Sequence, residues 1–187
     1  TATGTAGAAT TIALNAGNAQ SATVNTTVAT APSVIVRDAF SNPVPGVSVT
    51  FAVALGGGSI TGTNPITTAA NGIAAIGTWT LGTTAGANSL TATATGLTGS
   101  PITFTSTGTA GAATSIALNA GNAQSATVNT AVATAPSVIV RDAFSNPVAG
   151  VSVTFAVVTG GGSITGTNPI TTAANGIAAI GSWTLGT

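Results

Sequence analysis

Only four side chains among the 187 residues carry a formal charge: Arg37, Asp38 and, 104 positions later, Arg141 and Asp142. An aspartate can pass a proton or hold a cation, and an arginine can clamp an anion, so any chemistry would have to start from this pair. Neighbouring residues on a strand point to opposite faces, which separates Arg37 from Asp38. The structural reading therefore fits better: Asp38 accepts backbone N–H groups in the turn that follows, and Arg37 lays its stem on the surface or against an adjacent module. The chain has no Lys, Glu, His, Cys, Met or Tyr. No catalytic triad can be assembled, zinc finds neither imidazole nor thiolate, and a calcium cage lacks its converging carboxylates. The expected catalytic, cofactor-binding and metal-binding residues are accordingly none. Two arginines in a chain of zero net charge are too few to neutralise phosphates, so nucleic acid is excluded as a partner.

The remaining candidates each have a plainer reading. Gly56-Gly57-Gly58 lacks the lysine and following helix of a phosphate-binding loop and reads as a flexible loop. Trp79 and Trp183 could stack on a sugar, but each sits in an apolar alternating strand and reads as a core anchor. Asn25-Thr26-Thr27 forms an N-glycosylation sequon that the second copy loses at Ala131. A lysine–asparagine isopeptide crosslink is ruled out by the missing lysine.

These residues recur because the sequence repeats. Residues 1–83 align without gaps on residues 105–187 and differ at seven positions: Ala2/Ser106, Thr11/Ser115, Thr27/Ala131, Pro45/Ala149, Ala54/Val158, Leu55/Thr159 and Thr78/Ser182. A period of 104 residues is the size of a whole sandwich domain, well beyond the 20–50 residues of a solenoid repeat. The spacing divides the chain into residues 1–6, the tail strand of a preceding module; 7–110, a complete module; and 111–187, a second module lacking its last two strands. By this reading Thr84–Thr107 has no counterpart in the second copy, and either a continuing chain or a strand added from a neighbouring copy completes it.

Short runs rich in Val, Ile, Thr and Phe, separated by turn clusters, predict strands at Thr10–Asn15, Ser21–Val28, Pro32–Asp38, Val47–Ala54, Ser59–Thr61, Pro65–Thr68, Ile73–Leu81, Asn88–Thr95 and Pro101–Thr107. No segment has a helical period. Val47, Val49, Phe51 and Val53 alternate with Ser48, Thr50 and Ala52, the pattern of a half-buried strand. Asn71-Gly72 supplies a tight turn, and Asn42-Pro43 with Pro45-Gly46 marks another connection. Between Ile73 and Leu81 the parity changes, since Ala74 and Ile76 share one face while Trp79 and Leu81 share the other. A bulge at Gly77 would return both pairs to the core.

The run from Val34 to Phe51, with Asp38, Asn42-Pro43-Val44 and Gly46-Val47 in order, then the Gly56–Gly58 loop and Asn71-Gly72-Ile73-Ala74, resembles the bacterial immunoglobulin-like (Big) domains of the invasin and intimin type. The resemblance covers one full module and most of another. It implies an all-β fold of tandem immunoglobulin-like antiparallel β-sandwiches, and extracellular or cell-surface modules that form stalks, present adhesive tips or build surface layers. Members of that family usually carry more charge than this chain does.

The composition agrees with an exported structural protein. Charged residues make up 2% of the chain, against about 25% in ordinary globular domains. No apolar run approaches the ~18–20 residues that cross a bilayer, so no membrane span is expected in this segment. An uncharged, hydroxyl-rich β surface favours association with further copies of itself, the expected partners. Three roles remain open from sequence: a non-enzymatic building block of a filament, stalk or surface layer; the stalk of an adhesin with a binding tip elsewhere; and a spacer joined to an exported enzyme.

Overall fold

The computed structural model describes residues 3–187, and the chain divides into two compact units, one ending at Thr109 and the other running Ala110–Thr187. The expected tail strand at 1–6 falls partly on residues 1 and 2, outside the described residues; residues 3–8 form no strand. Among the described residues there is no helix.

The first unit contains ten strands: β1 (Ala9–Ala16), β2 (Gln20–Thr23), β3 (Ser33–Asp38), β4 (Ser48–Leu55), β5 (Gly58–Ile60), β6 (Ile66–Thr67), β7 (Ile73–Ala75), β8 (Trp79–Leu81), β9 (Gly86–Thr93) and β10 (Ile102–Thr109). They form a three-stranded sheet, β1-β3-β7, a five-stranded sheet, β2-β10-β9-β4-β6, and the pair β5-β8. Pairing is antiparallel except between β2 and β10, which run parallel, Gln20 beside Ser106 through Thr23 beside Thr109. Alternating side chains put Val49 and Phe51 of β4, Leu90 and Ala92 of β9 and Phe104 of β10 on one inner face. Ile12, Val34, Val36 and Ala74 from the other sheet close over them. The rings of Phe51 and Phe104 lie 6.4 Å apart and tilted. Each large side chain taken out of water here contributes about 1.5–3 kcal/mol. The result is the expected all-β, immunoglobulin-like sandwich.

Several details depart from expectation: the strand expected at Ser21–Val28 ends at Thr23. Instead of a single strand with a bulge, Ile73–Leu81 is two strands in different pairings: β7 adds to β3, whereas β8 pairs with β5. Gly77 sits at the switch, its N–H donating to the Thr61 carbonyl at 2.8 Å, and a Cβ there would lie 2.6 Å from Thr61 Oγ1. Both pairs still reach the core, because Ala74, Ile76, Trp79 and Leu81 are all buried. Nor do both residues of Asn71-Gly72 take a left-handed conformation; Gly72 alone does, and the Asn71 side chain accepts the Ile73 N–H.

The second unit contains β11 (Ala113–Ala120), β12 (Ser137–Asp142), β13 (Ser152–Val153), β14 (Gly162–Thr165), β15 (Ile170–Thr171), β16 (Ile177–Ala179) and β17 (Ser182–Leu185). Its β11-β12-β16 sheet repeats β1-β3-β7 register for register. The five-stranded sheet does not form. Without counterparts of β9 and β10, the eight residues of β4 shrink to the two of β13, and the segment matching β2 is no strand at all. A strand's backbone groups need a partner, and the described residues of this unit supply none for these segments. Ile12 is 3% exposed, whereas its copy Ile116 is 59% exposed.

Candidate functional site

Asp38 ends β3, and its carboxylate is buried at the turn that follows. Oδ1 accepts the N–H of Phe40 at 2.9 Å and of Asn42 at 2.9 Å; Oδ2 accepts the N–H of Gly7 at 2.8 Å and the Asn42 Nδ2 amide at 3.0 Å. A carboxylate offers about four lone-pair sites, and four donors occupy them. The hydrogen bond from the Asn42 side chain, then that from Gly7, hold the Asp38 carboxyl down at about 2. At Asp142, burial acts to raise the pKa, and hydrogen bonds from Asn146, Gly111 and Phe144 outweigh it, so the net shift is downward. Such a group is ionised at neutral pH and saturated, with no free lone pair for a substrate proton or a cation. The turn expectation for Asp38 is met, and two partners were not legible in the sequence: Gly7, distant along the chain, and the Asn42 side chain.

Arg37 points elsewhere, its Nη1 donating to the Ser41 carbonyl at 2.7 Å, and Arg141 does the same to Ser145. The two charges of each pair therefore serve one turn from two sides. Between them they fix Ser41 in a left-handed conformation and hold Phe40 outward, 85% exposed. Among the described residues, no group of three His, Cys, Asp or Glu side chains comes together.

Trp79 lies fully inside the first unit, closed off from any sugar, and its copy Trp183 is half-buried. The indole N–H of each has no hydrogen-bond partner. Gly56, Gly57 and Gly58 all adopt left-handed conformations, and the loop packs closely: a Cβ on Gly56 would run into Asn88 and one on Gly58 into the Thr80 carbonyl. Close approach at Gly56 and Gly58, and the left-handed backbone at all three, explain these glycines. Asn25 is exposed with φ +58°, as is usual for an asparagine at a left-handed turn, and its copy Asn129 has φ +57°.

Of the shallow grooves that remain, two lie where they bear on function. One of about 340 Å³ on the five-stranded sheet is lined by Gln20, Leu55, Ala87, Ser89, Thr105 and Thr107 among others, with no side chain that ionises near neutrality. The other, about 270 Å³ in the second unit, is lined by Phe155, Val157, Val158, Ile164, Ile180 and Trp183; the first-unit counterparts of Phe155, Ile180 and Trp183, namely Phe51, Ile76 and Trp79, are buried in the core.

No protein-family model matches the chain, and no curated protein matches it. Among solved structures it is similar to FdeC, an adhesin of Escherichia coli, with TM-score 0.53 and 18% identity over 96% of this chain and 57% of that one. The D0–D1 domain of intimin (TM-score 0.41, 20% identity, 96% of this chain and 86% of that one) and invasin, a bacterial integrin-binding protein (TM-score 0.41, 24% identity, 95% and 34%), are also similar. The likeness to FdeC is one of fold, in keeping with the all-β immunoglobulin-like sandwich described above, and the chain spans little more than half of the FdeC chain.

Proposed function

We propose that the chain is a run of non-catalytic structural modules, 7–110 and 111–187, belonging to a bacterial extracellular stalk, filament or surface layer. The observation that carries this reading is the 104-residue repeat with seven differences in 83 positions, whose first copy closes a complete sandwich. A near-identical copy begins within a few residues of its last strand, as the start of β11 at Ala113 follows the end of β10 at Thr109. Duplicating one domain lengthens an object without adding a new site, which is what a spacer requires. The likeness to FdeC supports a place on the cell surface. Neighbouring copies of the module are the partners, and the groove between Phe155 and Trp183 is where strand addition would act, whether the strands come from the same chain or another.

Labelling intact cells of the source bacterium with antibody against the repeat tests the location. Surface signal that external protease removes is expected; signal only after lysis overturns the reading. Light scattering on the purified chain tests association, and a monodisperse monomer at all concentrations would count against assembly. The FdeC likeness also favours a second reading, the stalk of an adhesin. Binding of host cells by a longer chain carrying a distinct tip, and not by these modules alone, would distinguish it.

A further inference from the structure

We propose that Asn71 and its copy Asn175 are conformationally gated deamidation sites: the native turn keeps each amide intact, and a module that opens converts it irreversibly to an acid. The reaction needs only water and a base. The backbone nitrogen of the following residue loses its proton and attacks the asparagine Cγ; the new C–N bond closes a succinimide ring, and the side-chain nitrogen takes up a proton and leaves as ammonia. Water then adds to either ring carbonyl and breaks its bond to nitrogen, which yields aspartate or isoaspartate. Of the seven asparagines in the first unit, Asn42 and Asn64 precede proline and lack the required N–H, while Asn15, Asn18, Asn25 and Asn88 precede residues whose Cβ crowds the ring. Asn71 alone precedes glycine, and in the second unit only Asn175 does.

The native turn withholds both reacting groups. Gly72 is buried and its N–H donates to the Ala69 carbonyl at 2.8 Å, so a base in solvent takes the proton only after this bond breaks. The Asn71 side chain is exposed but pinned, its Oδ1 accepting the Ile73 N–H at 3.1 Å. A further bond ties the turn to β3, the Val36 N–H donating to the Gly72 carbonyl at 2.9 Å. The second unit repeats the arrangement: Gly176 is buried and donates to the Ala173 carbonyl at 2.8 Å, and Asn175 Oδ1 accepts the Ile177 N–H at 3.0 Å. Isoaspartate routes the main chain through Cγ and so adds one backbone carbon. The turn has no slack for it, because the Ala69 N–H donates across the turn to the Ile73 carbonyl at 2.9 Å, and a Cβ on Gly72 would lie 2.7 Å from the Val36 carbonyl oxygen. Conversion in the open state therefore blocks reclosure.

The test incubates the full chain at mildly alkaline pH, once under native conditions and once in guanidinium chloride, and follows conversion by peptide mass spectrometry. Thr78 in one copy and Ser182 in the other tell the two Asn-Gly peptides apart. Two hydrogen bonds of ordinary strength must break first, so conversion at Asn71 is expected to be at least about tenfold slower in the native chain than in denaturant. Anion exchange gives a second readout, since each conversion adds a negative charge to a chain of zero net charge. Asn71→Asp keeps the ordinary backbone and an oxygen for the Ile73 N–H, and is expected to refold with the parent's yield and midpoint. The chain carrying isoaspartate at this position is expected to lose the native transition of the first unit. Equal conversion rates in the two conditions would overturn the gate, and full refolding of the isoaspartate chain would overturn the block on reclosure. The rate comparison needs no refolding, so it decides the gate even where refolding is incomplete. Neither failure touches the surface-stalk reading, which antibody labelling tests separately.

Discussion

Replacing Trp79 by phenylalanine and by alanine separates two things this side chain does. It is fully buried between the sheets, and its indole N–H has no acceptor. A buried donor without a partner costs about 1–3 kcal/mol, and Trp79→Phe removes it. The same change deletes roughly three buried heavy atoms, which at about 0.8 kcal/mol for each CH₂-sized group costs about 2 kcal/mol. These terms oppose each other, so Trp79→Phe is expected to stay within about 1 kcal/mol of the parent stability. Trp79→Ala has no such relief and leaves a cavity in the core cluster of the first unit, with an expected loss of about 3–5 kcal/mol. Chemical denaturation followed by far-ultraviolet circular dichroism reads both, the transition of the first unit moving while that of the second does not. If Trp79→Phe costs as much as Trp79→Ala, the indole N–H has a partner and the account of this core is wrong.

Asp38 makes the first unit acid-sensitive in a defined window. Its folded pKa of about 2 lies below the unfolded value near 3.9, so its contribution is full above the unfolded value and is lost as pH falls through about 2; carboxyl titration by nuclear magnetic resonance and acid unfolding check this, and Asp38→Asn should flatten stability across that window. Gly77→Ala is expected to cost about 1–3 kcal/mol through its clash with Thr61, whereas Gly4→Ala, in open space, should leave the melting temperature unchanged. Phe40→Ser should shift stability by no more than about 0.5 kcal/mol, because the ring is 85% exposed, and an unchanged denaturation midpoint would show that the ring adds little to the turn it sits on.

The candidate site was partly legible in the chain. Asp38 could be assigned to its turn because aspartate followed by a turn cluster is a local signal. The bond from Gly7 could not, since 31 positions separate the two residues and nothing in either segment specifies the meeting. Trp79 as a core residue followed from alternation with Leu81. The absence of a partner for its N–H depends on which atoms surround it, which alternation does not encode.

The sequence by itself determined the strand-forming runs, the turns between them, the 104-residue repeat and the shortage of chemical reagents, because each depends on residue type or short-range spacing. Tertiary structure decided which runs became strands and with whom. The two copies demonstrate this: residues 48–55 make an eight-residue strand beside β9, whereas 152–159, differing from them only at Val158 and Thr159, keep two strand residues. The switch at Gly77 and the parallel seam at β2 arise in the same way. A β-strand is stabilised by hydrogen bonds to a distant segment, so its extent belongs to the pair and not to the residues that compose it.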